Sequence, residues 1–390
     1  MQRATTWAAI SAFFILCTGC ASLGPDRLHA VPSSMSATLA FERVARTRFI
    51  GDETNALAAE IRWSLAQHAL TSPTSINILA LSGGQEDGAF GAGLLAGWSQ
   101  HGGRPIFNIV TGTSTGALAA PFAFLGRDYD GALEAMYTKT RASDILDKRY
   151  LVAAITDDAM MDSAPLFRTI CRYLTQEVLE RIAVEYRKGR LLLVSTANLD
   201  TSKLVIWNIG AIAASDNPDR LTLVRRIILA SAAVPGIFPP VMIDADLKDG
   251  PRQEMHVDGG TVAQVFLYPP SVDMKRILSE VAPKTSVTAY VIRNGMVSPP
   301  PAEVERRTLP IAQRAIETMI ANAALGDLYR IYATTGRDGV SFNLALIGDD
   351  FTEPYTTKFG YRYMLQLFRY GRMKGAMGYP WQHAPPGFRH

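Results

Sequence analysis

A serine stands between two glycines in Gly112-Thr113-Ser114-Thr115-Gly116, after a short apolar run and before small helix-forming residues. A strand that turns sharply into a helix needs this pattern. The serine projects its hydroxyl from a strained turn, and Gly112 and Gly116 give the turn its dihedral freedom and clearance. Such a serine can attack an acyl carbon and carry the acyl group covalently. The attack also needs donors for the developing oxyanion and a base for the hydroxyl proton. An earlier apolar run ends in Ser82-Gly83-Gly84-Gln85-Glu86-Asp87-Gly88. Its N–H groups at Gly83 and Gly84, with that of Thr115, are the candidate oxyanion donors. Far downstream, Asp258-Gly259-Gly260 sets a carboxylate beside two residues too small to crowd a substrate. Ser114 and Asp258 are the candidate catalytic pair.

Each segment also has a plainer reading. Asp258-Gly259 suits an ordinary turn. The first glycine stretch suits strand-to-helix packing, or the start of a dinucleotide fold. The strict G-x-G-x-x-G is absent, however, and no acidic residue ends the next apolar run. Histidine is the usual partner of a serine nucleophile, and the chain has six: His29, His68, His101, His256, His383 and His390. The order Ser114, Asp258, His383 matches an α/β-hydrolase triad and would make a small-ester esterase. His256 lies two residues before Asp258 and would share its face of an extended segment, where a structural role is the commoner one.

These residues must be positioned by the elements around them. Residues 76–81 and 106–110 read as buried strands, each followed by a helix, at 88–98 and 115–124. Further strands are expected at 191–194, 203–207, 286–292 and 340–347. Helices are expected at 52–68, with Asp52 available as cap, and at 221–230, 309–332 and 356–377. Strands alternating with helices predict an α/β domain with a mostly parallel central sheet. In the last helix Tyr361, Met364, Leu365 and Phe368 share one face, and Arg362, Arg369, Arg372 and Lys374 make it basic. That pattern fits a helix packed on the core with a solvated basic side, or one that touches anionic lipid.

The order of the three glycine segments resembles the patatin-like phospholipases, over roughly residues 75 to 262. The resemblance implies a three-layer patatin-like α/β sandwich with added C-terminal helices. It also implies a Ser114–Asp258 dyad without histidine, and hydrolysis of fatty-acyl esters of lipids. The family's oxyanion loop is D-G-G-G-x-[K/R]-G. Gly83, Gly84 and Gly88 match it, but Ser82 replaces the aspartate, Gln85 the third glycine and Asp87 the basic residue.

The 390 residues are 48% hydrophobic and 19% charged, enough for a sizeable core, and a net charge of +3 with no basic run sets nucleic acid aside. The N-terminus reads as a signal. Arg3 precedes an apolar stretch from Trp7 to Leu16, too short to span a bilayer, and Cys17-Thr18-Gly19-Cys20-Ala21 resembles a bacterial lipobox. The expectation is cleavage before Cys20, lipid on its sulfur and attachment to the outer membrane. That leaves Cys171 without a partner, so no disulfide is expected. With no H-E-x-x-H and no second cysteine pair, no metal or other cofactor is expected. The expected organisation is a signal peptide over 1–19, a lipidated tether over 20–50 and a helical segment over 51–75. A catalytic core over 76–262 and a C-terminal α/β part over 263–390 complete the domain. A non-catalytic lipoprotein scaffold of the same fold is the remaining alternative.

Overall fold

Short runs of Ile, Leu, Val and Ala, buried on both sides, form the parallel centre of a nine-stranded sheet. The computed structural model describes residues 27–32, 46–71, 75–145, 147–148, 159, 161–247, 249–296 and 303–388. In chain order the strands are β1 (Arg48–Ile50), β2 (Ser75–Leu81), β3 (Ile109–Thr113), β4 (Asp147–Lys148), β5 (Met161–Asp162), β6 (Leu191–Asn198), β7 (Lys203–Asn208), β8 (Val241–Leu247), β9 (Gly250–Asp258), β10 (Ser286–Arg293) and β11 (Ser341–Leu346). Spatially the sheet runs β1-β7-β6-β3-β2-β10-β11. From β6 to β11 neighbours are parallel, while β7 and β1 add an antiparallel edge. The β8–β9 hairpin hangs from the end of β6, and β4 pairs only with β5.

The pleat of β2 sorts two cores. Leu79 and Leu81 point into one, and Ile76, Ile78 and Ala80 into the other. The first core holds the helices Gly88–His101, Thr115–Leu125, Arg220–Ser231 and Tyr361–Ala376. The second holds Asn55–Thr71, Met274–Val281 and the inner half of Thr308–Asp338. Helices on both faces of a mostly parallel sheet give the three-layer α/β sandwich expected from the sequence.

Several local expectations shift. Ile106 is 75% exposed and precedes its strand, which starts at Ile109. Asp52 does not cap the first helix, which begins at Asn55; its carboxylate pairs with Lys203 at 2.9 Å. The helices Asp130–Thr138, Ala164–Tyr173 and Gln176–Arg187 were not expected at all. In the last helix Met364 and Phe368 are buried, whereas Tyr361 is exposed. Three of its cations face carboxylates: Arg362 on Glu353 at 2.7 Å, Arg372 on Glu134 at 3.6 Å and Lys374 on Asp350 at 2.5 Å. The packed helix with a solvated side describes it.

That helix crosses Gly88–His101 at backbone contact. A Cβ built on Gly93 would lie 2.1 Å from the Phe368 carbonyl oxygen, and one on Gly97 2.0 Å from that of Arg372. From the other side, Gly371 and Gly375 meet the carbonyl oxygens of Phe90 and Leu94 at 2.4 and 2.5 Å. Small residues four apart on both helices make this approach possible.

This crossing sets two opposing expectations for alanine. In an open helix Gly→Ala stabilises by up to about 1 kcal/mol. Gly131 has no atom within 4 Å of such a Cβ, so Gly131→Ala should raise the melting temperature. At Gly97 the clash wins, and Gly97→Ala should lose about 1–3 kcal/mol in urea unfolding. Equal effects at the two positions would contradict the crossing.

Candidate active site

The sharp turn after β3 is present. Ser114 has φ 56° and ψ −125°, a region that a residue with a side chain enters only under strain of about 1–3 kcal/mol. The surroundings hold it there. Its N–H donates to Ser231 Oγ at 3.0 Å, and its carbonyl oxygen accepts from Ala117 N–H at 2.8 Å in the first turn of the next helix. Glycine is required at both flanks. A Cβ on Gly116 would lie 2.3 Å from the Leu81 carbonyl oxygen, and one on Gly112 2.6 Å from that of Gly116.

Strand register brings Asp258 to this turn. Thr113, the last residue of β3, pairs with Ser195 of β6. The next residue of β6, Thr196, pairs with Asp258 in antiparallel β9. Thus β9 enters the lane that β3 vacates and ends where the serine turn begins. Asp258 N–H donates to the Ala233 carbonyl at 2.9 Å, and its Oδ1 accepts from Gly260 N–H at 2.7 Å. Gly259 lets the chain pass close to β6, since a Cβ there would lie 2.5 Å from Ser195 Oγ. The Asp258 carboxyl lies against the Ser114 side chain and is only 5% exposed. Burial raises its pKa to about 7, against the opposing bonds from Ser114 and Gly260 N–H. At neutral pH it can therefore both hold and release a proton.

The glycine-rich loop needs one correction. Gly83 N–H is not available to an oxyanion, because it donates to the Gln264 carbonyl at 2.8 Å. Among the described residues no acceptor takes the N–H of Gly84, Gln85 or Thr115. Gln85, where the family has glycine, sits at φ 52°, the left-handed region that glycine adopts without strain. Gly88 lies against the elbow, with a Cβ position 2.1 Å from Thr115 Oγ1. Asn294 staples the loop: its N–H donates to Ser82 Oγ at 2.8 Å and its Nδ2 to the Ser82 carbonyl at 2.9 Å. Asp87 stands where the family's loop has a cation in its sequence. Burial pushes its carboxyl up to about 7, while a Tyr363 hydroxyl bond at 2.8 Å and the Arg293 charge oppose the shift.

Neither favoured histidine joins the pair. His256 is fully buried, with Nδ1 on Thr196 Oγ1 at 2.9 Å and Nε2 on Glu254 Oε2 at 3.1 Å. Burial lowers its pKa. His383 Nδ1 lies 3.3 Å from the Phe342 carbonyl oxygen. Phe342 is in register, through Ala289 and Ile78, with Ile109 at the opposite end of β3 from Ser114. Three strand spacings of about 4.8 Å and five residues of about 3.3 Å separate those positions, so the triad order has no geometric counterpart.

Ser114 opens on a cavity walled by Leu118, Met136, Ile145, Leu166, Ile170 and Phe238. Ser231, Gln264, Asn294, Arg293 and Tyr363 also shape the site, and none was singled out as functional from the sequence. Ser231 alone had a signal, in the Ala230-Ser231-Ala232-Ala233-Val234-Pro235 segment that resembles a family stretch beside the site. Among the described residues no His, Cys, Asp and Glu cluster suited to a metal occurs. Cys171 is a half-buried free thiol, and Cys17 and Cys20 lie outside the described residues.

Residues 79–269 match the family described as patatin-like phospholipase. Among solved structures, VipD from Legionella pneumophila matches at 12% identity and a TM-score of 0.32, over 77% of this chain and 67% of that one. No curated protein matches the chain.

The buried carboxyl makes stability depend on pH with a definite sign. Unfolded Asp258 ionises near 3.8, whereas the folded group holds its proton up to about 7. The folded state binds that proton more tightly, so stability falls as pH rises from about 4 to 7 and is flat above. Asp258→Asn keeps the shape and removes the charge. It should be more stable than wild type at pH 8 by up to roughly 4 kcal/mol, with little difference at pH 4. An advantage independent of pH would contradict the raised pKa.

Proposed function

We propose, from the match of residues 79–269 to the patatin-like phospholipase family and from the site's geometry, that the protein is a lipid acyl hydrolase working through a Ser114–Asp258 dyad. The observation that carries this reading is the placement of a buried carboxyl, pushed up to about 7, against the side chain of the strained Ser114. Ionised Asp258 takes the hydroxyl proton as Ser114 Oγ attacks the ester carbonyl. The alkoxide of the tetrahedral intermediate is met by the N–H groups of Gly84, Gln85 and Thr115. Collapse expels the alcohol, which takes the proton from Asp258 and leaves the acyl chain on Ser114. Water then gives a proton to Asp258 and attacks the acyl-enzyme, releasing the carboxylic acid and the free serine. The apolar cavity wall receives the acyl chain.

The chain is proposed to reach its substrate from the cell envelope, anchored to the outer membrane by lipid on Cys20. Among the described residues no helix is long and apolar enough to cross a membrane. Two or more acyl chains hold a protein firmly, at about 0.8 kcal/mol per buried CH₂.

Ser114→Ala and Asp258→Asn should each reduce turnover of long-chain esters at least about a thousandfold while the protein stays folded. A fluorophosphonate should label wild type at Ser114. For the wild type, kcat/KM should rise with pH to a plateau with an apparent pKa of about 7, that of the free base. Full activity in Asp258→Asn, or labelling at another serine, would remove the dyad.

For the anchor, Cys20→Ser should shift the protein from the membrane fraction to the soluble one, or leave an unprocessed precursor. A mature wild-type N-terminus that is unmodified and lies downstream of Cys20 would end the lipoprotein reading.

A further inference from the structure

The cavity at Ser114 is lined by described residues that include no Lys, Arg or His, and by a single acidic residue, Glu86. Glu86 is 5% exposed. Its Oε1 accepts from the Tyr355 hydroxyl at 2.6 Å and from Phe359 N–H at 3.4 Å. Among the described residues no donor is recorded on Oε2. The nearby cation does not offset it from within the cavity: Arg293 is not part of the lining, and its Nη1 lies 3.5 Å from the Gly83 carbonyl oxygen.

A second polar group in the lining is also unspent. Thr140 is 1% exposed, and its hydroxyl has no hydrogen-bond partner among the described residues. The other hydroxyls of the lining differ. Thr169 donates to the Asp144 carbonyl at 2.9 Å, and Tyr137 to that of Thr115 at 2.9 Å. A buried hydroxyl left without a partner is destabilising unless water or a ligand meets it.

We propose that the preferred substrate is a neutral acyl ester bearing free hydroxyls, of the monoacylglycerol type, and not a phosphate-bearing lipid. This rests on the acyl-hydrolase reading. A phosphate close to the ester would enter a poorly solvated cavity that holds a carboxylate and, among its described lining residues, no cation. A like charge within a few ångström there lowers binding roughly tenfold or more. A glycerol hydroxyl does the reverse. It donates to Glu86 Oε2, and it can donate to or accept from Thr140. A site built around such partners discriminates against analogues lacking the hydroxyl, because its own buried groups are then left unpaired.

The test compares three oleoyl esters in mixed micelles with the full-length protein: monooleoylglycerol, oleoyl lysophosphatidic acid and methyl oleate. The first two differ by the phosphate, and the first and third by the hydroxyls. The expected result is a kcat/KM for monooleoylglycerol about tenfold or more above both others. Glu86→Gln should narrow the gap to lysophosphatidic acid, and Thr140→Val the gap to methyl oleate. Both changes are near-isosteric, and the wild-type comparison stands if either variant fails to fold. Lysophosphatidic acid cleaved as fast as monooleoylglycerol would overturn the proposal, as would equal rates on methyl oleate. So would both gaps unchanged in folded variants. Hydrolysis of p-nitrophenyl oleate, lost in Ser114→Ala, identifies a case where only the substrate assignment fails. If no ester is cleaved, the hydrolase reading and this proposal fall together.

Discussion

A carboxyl group has to sit against a serine hydroxyl with almost no water between or around them. Water would return Asp258 to an ordinary acidic pKa. Exclusion is achieved by the sheet itself, since β9 fills the lane where β3 stops and its last residue faces the elbow. A buried chain of polar contacts fixes β9 from behind. Arg48 of β1 bonds Glu254 at 2.5 Å, Glu254 meets His256 at 3.1 Å, and His256 meets Thr196 of β6 at 2.9 Å. The Trp207 indole of β7 also donates to Thr196 Oγ1, at 2.8 Å. Burial alone would raise the Glu254 carboxyl, but the bonds and charges of His256 and Arg48 outweigh it and bring it to about 2. Removing either partner would strand a buried charge and loosen the strand that carries Asp258.

The departures from the family pattern cluster in one loop and share a cause. Gln85 accepts a left-handed backbone that glycine would take freely, and Asp87 is neutralised in part by burial. Both are tolerated because the loop is held from outside, by Asn294 at Ser82 and by Gln264 at Gly83. Tyr363 and Tyr355, near the end of the chain, bond Asp87 and Glu86. The loop is thus shaped as much by its neighbours as by its own glycines.

What was legible in the sequence follows from this. Ser114, Gly116 and Asp258 announce themselves because a strained turn and a close strand approach admit few residue types. The parallel sheet was legible because strands buried on both faces read as unbroken apolar runs. Gly83 was misread because the use of an N–H depends on a carbonyl far along the chain, and nothing in the local motif reports that contact. Asn294, Gln264 and Arg293 are single polar residues with no motif, visible only once β2 and β10 lie side by side. His383 looked eligible from chain order, and the parallel register placed it at the other end of the sheet.

The glycine crossing has a consequence for how the molecule comes into being. The matched family segment ends at residue 269, yet the helix that begins at Gly88 is seated against backbone from 361–376. Homology and cooperative folding therefore have different borders here. While the chain is being synthesised from its N-terminus, the loop beside Ser114 lacks its final support until the last helix has emerged. The fold is thereby completed late, with its C-terminal helix as the closing piece.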